Sequence, residues 1–189
     1  MNLANKITVL RILLVPVFMF FAVPAYSFYP AGLSAFLNTH GMPIAIAVFI
    51  IASITDTIDG HLARKLNQVT VLGKFLDPVA DKLLVIAALV VLVERLELSS
   101  WVAMIIITRE ILIMAVKTIA AGKGIIIAAS IWAKVKTILQ IIAVVAIMAG
   151  SIINLWILPD ILLFIAVLAT IYSGIDYLWK NIHIMSDGP

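Results

Sequence analysis

The chain has 189 residues, 64% of them hydrophobic and only 12% charged, with a net charge of +3 and a mean hydropathy of +1.20. Soluble domains carry about a quarter charged residues and about half apolar ones, so this composition excludes an ordinary water-soluble fold and equally a disordered chain. Cysteine is absent, which removes disulfides, thiolate nucleophiles and thiolate metal sites.

At about 20 residues per crossing, a chain of this length has room for about six membrane helices. Six apolar stretches follow one another: Thr8 to Ala25, Pro43 to Asp59, Phe75 to Val93, Trp101 to Ala121, Ile125 to Ile153, and Leu155 to Trp179. Val and Ile are frequent, yet lipid forces the backbone to close its hydrogen bonds within a helix or a closed barrel, and long runs without alternation fit helices. The expected fold is all-α, a polytopic six-helix bundle forming a single domain over residues 1–189. The first stretch, with Lys6 and Arg11 ahead of its apolar core, has the look of a signal peptide, but five more spans follow and it is read as retained.

Orientation follows from where Lys and Arg fall. Lys6, Arg11, Arg64, Lys65, Lys74, Lys117, Lys123 and Lys180 all lie toward one side, whereas the opposite connections, Tyr26 to Met42, Glu94 to Ser100 and the turn near Asn154, hold only Arg95. Short cytoplasmic loops carry the positive excess, so both termini are expected in the cytoplasm. Tyr26, Phe28, Tyr29, Trp101, Trp156, Tyr177 and Trp179 flank the spans as interfacial aromatics do.

Ionisable groups within these spans need a reason. Asp56, Asp59, Asp77, Asp81, Lys82, Arg109, Glu110, Lys117, Lys134 and Lys136 would each cost about 3 kcal/mol at mid-bilayer, so they must be shallow, paired or wet. The densest group reads Asp56-Thr-Ile-Asp59-Gly60-His-Leu-Ala63-Arg64, then eight residues, then Gly73-Lys-Phe-Leu-Asp77-Pro-Val-Ala-Asp81. At about 100° per residue, Asp56, Asp59, Gly60 and Ala63 share one helical face, and Asp77 and Asp81 share another. Four carboxylates facing one another across a hairpin repel unless protons or divalent cations neutralise them. Two hard cations would balance the charge, and oxygen-only ligation suits Mg²⁺ or Mn²⁺ bridging phosphate oxygens. Gly60, Ala63 and Gly73 leave room for a ligand to approach the backbone.

This run, DxxDGxxAR, eight residues, GxxxDxxxD, resembles the signature of the CDP-alcohol phosphatidyltransferases, membrane enzymes of phospholipid synthesis. The opening Asn5-Lys-Ile-Thr8-Val-Leu-Arg11, the triplet Thr108-Arg109-Glu110 and the stretch Lys134-Val-Lys136-Thr137 are similar to the branch that uses glycerol 3-phosphate, although Lys117 stands where arginine is common and Ala133 where glycine is common. The resemblance implies transfer of a phosphatidyl group from CDP-diacylglycerol to an alcohol with release of CMP. It implies two Mg²⁺ or Mn²⁺ ions on Asp56, Asp59, Asp77 and Asp81, with Asp81 also the catalytic general base, and CDP held by Asp56, Gly60, Ala63, Arg64 and Gly73. Arg109, Lys134 and Lys136 would bind the acceptor's phosphate, favouring glycerol 3-phosphate over a neutral alcohol. The implied setting is the cell membrane, with a cytoplasmic active site, a homodimer, and no nucleic-acid partner.

Other readings compete. Asp77 before Pro78 has the pattern of an N-cap followed by proline at the first helical position. Arg109 and Glu110 could form an intramembrane ion pair, although sequence neighbours do not face one another on a helix. Lys134 and Lys136 could snorkel to headgroups. The same chemistry could serve inositol phosphate, or phosphatidylglycerol to give cardiolipin. A cation-coupled transporter of an anionic solute would also use clustered aspartates and basic residues, but no pair of interrupted helices supports it.

Overall fold

With no water to satisfy peptide groups in hydrocarbon, each apolar stretch closes its own hydrogen bonds. In the computed structural model all regular structure among the described residues is helical. The structure describes residues 3–26, 28–65, 71–123 and 131–186, and for residues 3–6, 56–65, 71–78, 81 and 183–186 the helical backbone alone. The helices are α1 (Leu3–Ala22), α2 (Ala31–Phe36), α3 (Met42–Lys65), α4 (Val71–Glu94), α5 (Ser100–Gly122), α6 (Ile131–Gly150) and α7 (Leu158–Ser186), with a π-helical turn at Leu37–Gly41 joining α2 to α3. Among the described residues, Ala31–Thr55, Ile131–Gly150 and Leu158–Ile182 are each long and apolar enough to cross a membrane.

The expected connection from Tyr26 to Met42 is corrected: the chain is helical from Ala31 onward. Pro43 has no N–H for the Thr39 carbonyl and its ring crowds that group, and the wider turn at Leu37–Gly41 opens the ladder where the proline needs room. Gly41 is required there, because a Cβ at this position would lie 2.6 Å from the Phe21 carbonyl oxygen.

The chain packs as two helical units, one formed by residues up to Leu98 with Ile147–Leu155, the other by Ser99–Ala146 with residues from Trp156 onward. In the first, α1 lies along α3 and α4. Thr8, Arg11, Val15, Phe18 and Ala22 recur at three- and four-residue steps and are buried, while Leu10, Leu13, Val17 and Phe20 face outward. Phe18 meets Phe49 of α3 with ring centroids 5.7 Å apart. Ala45, Ala52, Ala80, Ala87 and Ala88 are fully or nearly buried. Lipid offers no hydrophobic drive for helices to associate, so small residues that let backbones approach supply the packing energy. Arg11, one of the basic residues counted at the start of the first span, is buried at 4% exposure, because it falls on this inward stripe.

The end of this unit opposite Arg11 is tied by polar contacts. Arg95 donates to the Ala22 carbonyl at the end of α1, at 3.2 Å, and to Glu97 at 2.9 Å. It thereby satisfies one of the carbonyls a helix terminus leaves open, which gives the one basic residue of the opposite connections a structural task. The Tyr26 hydroxyl donates to Glu94, and that hydrogen bond, with Glu94's charge and partial desolvation, holds the Tyr26 pKa above its ordinary value.

In the second unit, α5 buries Ala103, Ile106, Glu110, Ile113, Val116 and Ala120 and turns Met104, Ile105, Ile111, Leu112 and Ile119 outward. It packs on α7 in parallel: Arg109 meets Ser173 and Gly174, and further along, Ile113 and Val116 meet Tyr177. Tyr177 is therefore not an interfacial aromatic as expected; its place on the α7 stripe with Ala166, Thr170 and Ser173 leaves it 4% exposed. Trp101, Trp156 and Trp179 are exposed, as interfacial residues are.

Candidate functional site

The aspartate-rich run occupies the last part of α3 and the first part of α4. Asp56, Asp59, Gly60, Ala63 and Arg64 fall on consecutive turns of α3, and Gly73, Asp77 and Asp81 on consecutive turns of α4. The helical period that sets their register is thus present, while their side chains lie outside the described residues. The N-cap reading of Asp77 is overturned: α4 begins at Val71, so Asp77 stands inside the helix with no helix terminus to cap. Among the described residues there is no cluster of three or more His, Cys, Asp or Glu that would hold a metal. The aspartates themselves, an all-carboxylate donor set on two helices, suit a hard divalent cation and no soft one.

A second polar group lies in the other unit, where α5 carries Arg109 and Glu110. Glu110 sits on the inward stripe and is 4% exposed. Its Oε1 accepts from Lys136 Nζ of α6 and, at 3.2 Å, from Arg109 Nη1. Arg109 Nη2 donates to Ser173 Oγ of α7 at 3.0 Å, and Ser173 in turn donates to the Thr170 carbonyl. The arginine stem reaches Ser173 by crossing Gly174: a Cβ there would stand 3.1 Å from Arg109 Cγ. Lys136 is 1% exposed. Removing one partner from so buried an ion group leaves an uncompensated charge and costs about 3–5 kcal/mol.

The structure thus brings Arg109 and Lys136 together through Glu110. Lys134 does not join them; two residues before Lys136 it falls on a different face of α6 and is exposed. The expectation that Arg109 and Glu110 would not face each other fails because the long guanidinium stem bends round to its neighbour. Ser173 is the residue sequence reasoning missed, while Glu110 is named there as an intramembrane charge and a candidate partner of Arg109 but given no place in the site. A charged residue inside an apolar helix signals Glu110, but nothing in the local sequence signals Ser173. Beside this group an apolar groove of about 530 Å³ runs between α5 and α7, walled by Trp101, Met104, Leu112, Ile175 and Leu178, with Thr108 and Arg109 as its polar side chains.

Residues 1–172 match the family of CDP-alcohol phosphatidyltransferases. The chain is 42% identical over 187 residues to a CDP-diacylglycerol–glycerol-3-phosphate 3-phosphatidyltransferase of Bacillus subtilis, covering 95% of each chain. It is 40% identical to the enzyme of the same name from Haemophilus influenzae, over 94% of this chain and 91% of that one. A third of that name, from Pseudomonas fluorescens, is 38% identical over 100% of this chain and 94% of its own.

Proposed function

The chain belongs to the CDP-alcohol phosphatidyltransferase family, and from that membership we propose that it transfers the phosphatidyl group of CDP-diacylglycerol to sn-glycerol 3-phosphate, giving phosphatidylglycerophosphate and CMP. The acceptor hydroxyl oxygen attacks the phosphorus bearing the diacylglycerol group; the new O–P bond forms as the bond to CMP breaks, and Asp81 takes the hydroxyl proton. Asp56, Asp59, Asp77 and Asp81 would hold two divalent cations, Mg²⁺ or Mn²⁺. Such ions supply charge stabilisation to the entering and leaving oxygens. Asp56, Gly60, Ala63, Arg64 and Gly73 bind the cytidine diphosphate, the small residues admitting it close to the backbone. Arg109 and Lys136 bind the acceptor phosphate, without Lys134, which is exposed on another face of α6.

The observation that carries this reading is the similarity to relatives of one name along nearly the whole chain. The pairing of buried Lys136 and half-buried Arg109 on Glu110 favours a phosphorylated acceptor over a neutral one. Six helical rods, α1, the continuous Ala31–Lys65, and α4 to α7, each cross the membrane, with both termini and the catalytic groups toward the cytoplasm; the parallel packing of α5 and α7 suits one intervening crossing by α6. The protein works as a homodimer.

The acceptor is tested by competition. Purified chain given CDP-diacylglycerol with equimolar glycerol 3-phosphate, inositol phosphate and phosphatidylglycerol should yield phosphatidylglycerophosphate at least about tenfold over either other product. Preference for inositol phosphate, or formation of cardiolipin, would replace the acceptor assignment and leave the family unchanged.

A further inference from the structure

Two cations from different helices share one carboxylate. Lys136 Nζ and Arg109 Nη1 both donate to Glu110 Oε1, on a face of α5 whose other buried members are Ala103, Ile106, Ile113, Val116 and Ala120. Glu110 thus ties together cations carried on two helices, which a carboxylate pairing with a single lysine would not do. The geometry is also braced. Arg109 is held at Nη1 by Glu110 and at Nη2 by Ser173, and its Nε is buried with no hydrogen-bond partner. The guanidinium has five N–H donors, so the two braces fix its plane and leave donors over. Without the carboxylate, the ammonium and guanidinium would repel each other and separate into rotamers that no longer converge.

Resting on the acceptor reading above, we infer that Glu110 is a positioning residue, holding Arg109 and Lys136 at fixed spacing so that both meet the acceptor's phosphate. It acts through these two cations and touches neither substrate.

The test uses the purified full-length protein and initial rates against both substrates. Glu110→Gln keeps the shape and removes the charge; it should raise the KM for glycerol 3-phosphate at least about tenfold and leave the KM for CDP-diacylglycerol within about twofold. Because Glu110 works through Arg109 and Lys136 together, adding Glu110→Gln to the Arg109→Ala/Lys136→Met double variant should raise the acceptor KM by less than about a further twofold. The inference is overturned if Glu110→Gln leaves the acceptor KM unchanged while Lys136→Met and Arg109→Ala raise it, if both KM values rise alike, or if the cost of Glu110→Gln multiplies that of the double variant. If Arg109→Ala and Lys136→Met themselves leave the acceptor KM unchanged, the acceptor reading fails, and this inference with it. Should Glu110→Gln not fold, Glu110→Asp carries the same test: the charge is kept but withdrawn by one methylene, and an acceptor KM unchanged by it overturns the inference.

Discussion

Arg109 shows how much a single side chain depends on what lies beneath it. Its stem passes over Gly174 and its head is held from two helices, so substitution should act on the acceptor rather than the lipid. Arg109→Ala is expected to raise the glycerol 3-phosphate KM about tenfold or more, measured against an unchanged lipid KM. Asp81→Asn should lower kcat by at least about a hundredfold, the usual worth of a general base, with CDP binding largely kept in a calorimetric titration; loss of binding in proportion to rate would mark it as a ligand alone. Gly41 offers a test of packing without chemistry. Its absent Cβ would meet the Phe21 carbonyl at 2.6 Å, whereas Gly32 has nothing within 4 Å. Gly41→Ala should destabilise by about 1–3 kcal/mol in detergent unfolding, and Gly32→Ala should not.

At the scale of elements, the end of α1 is fastened to the end of α4 by Tyr26 with Glu94 and by Arg95 with the Ala22 carbonyl. The sign of the pH dependence follows from Tyr26, whose pKa is raised by its hydrogen bond to Glu94. A phenol with a raised folded-state pKa contributes its stability below the unfolded value and loses it as pH climbs through the folded one. The fastening should therefore hold at neutral pH and loosen only on the alkaline side of the ordinary tyrosine range. In Tyr26→Phe, that alkaline loss should vanish from a pH series of thermal unfolding.

Helical content was legible because runs of some twenty apolar residues have one solution in lipid. The segment from Ala31 to Gly41 was not, since Gly32, Ser34, Asn38, Thr39, His40 and Gly41 give it the composition of a loop while Pro43 suggests a fresh start. The helix carries on by widening at Leu37–Gly41.

For the molecule as a whole, the aspartate run was readable because its spacing is a property of one chain segment at helical period. The Arg109–Glu110–Lys136 trio was only half readable: each charge announces itself in an apolar stretch, but the sharing of one carboxylate across α5 and α6 depends on tertiary register that no local pattern encodes. Tyr177 misled for the same reason, since an aromatic near the end of an apolar run looks interfacial until α5 is packed against it. The absence of cysteine makes the proposed topology directly testable. An impermeant maleimide should label Ser99→Cys in intact cells and Lys180→Cys only after lysis; labelling of both from one side would contradict six crossings. The most direct measurement of the central claim follows labelled glycerol 3-phosphate into lipid on the purified chain. One CMP should appear per phosphatidylglycerophosphate formed, with both lost in chelator and in Asp77→Asn. CMP released without label entering lipid, or full turnover in either of those conditions, would contradict the account.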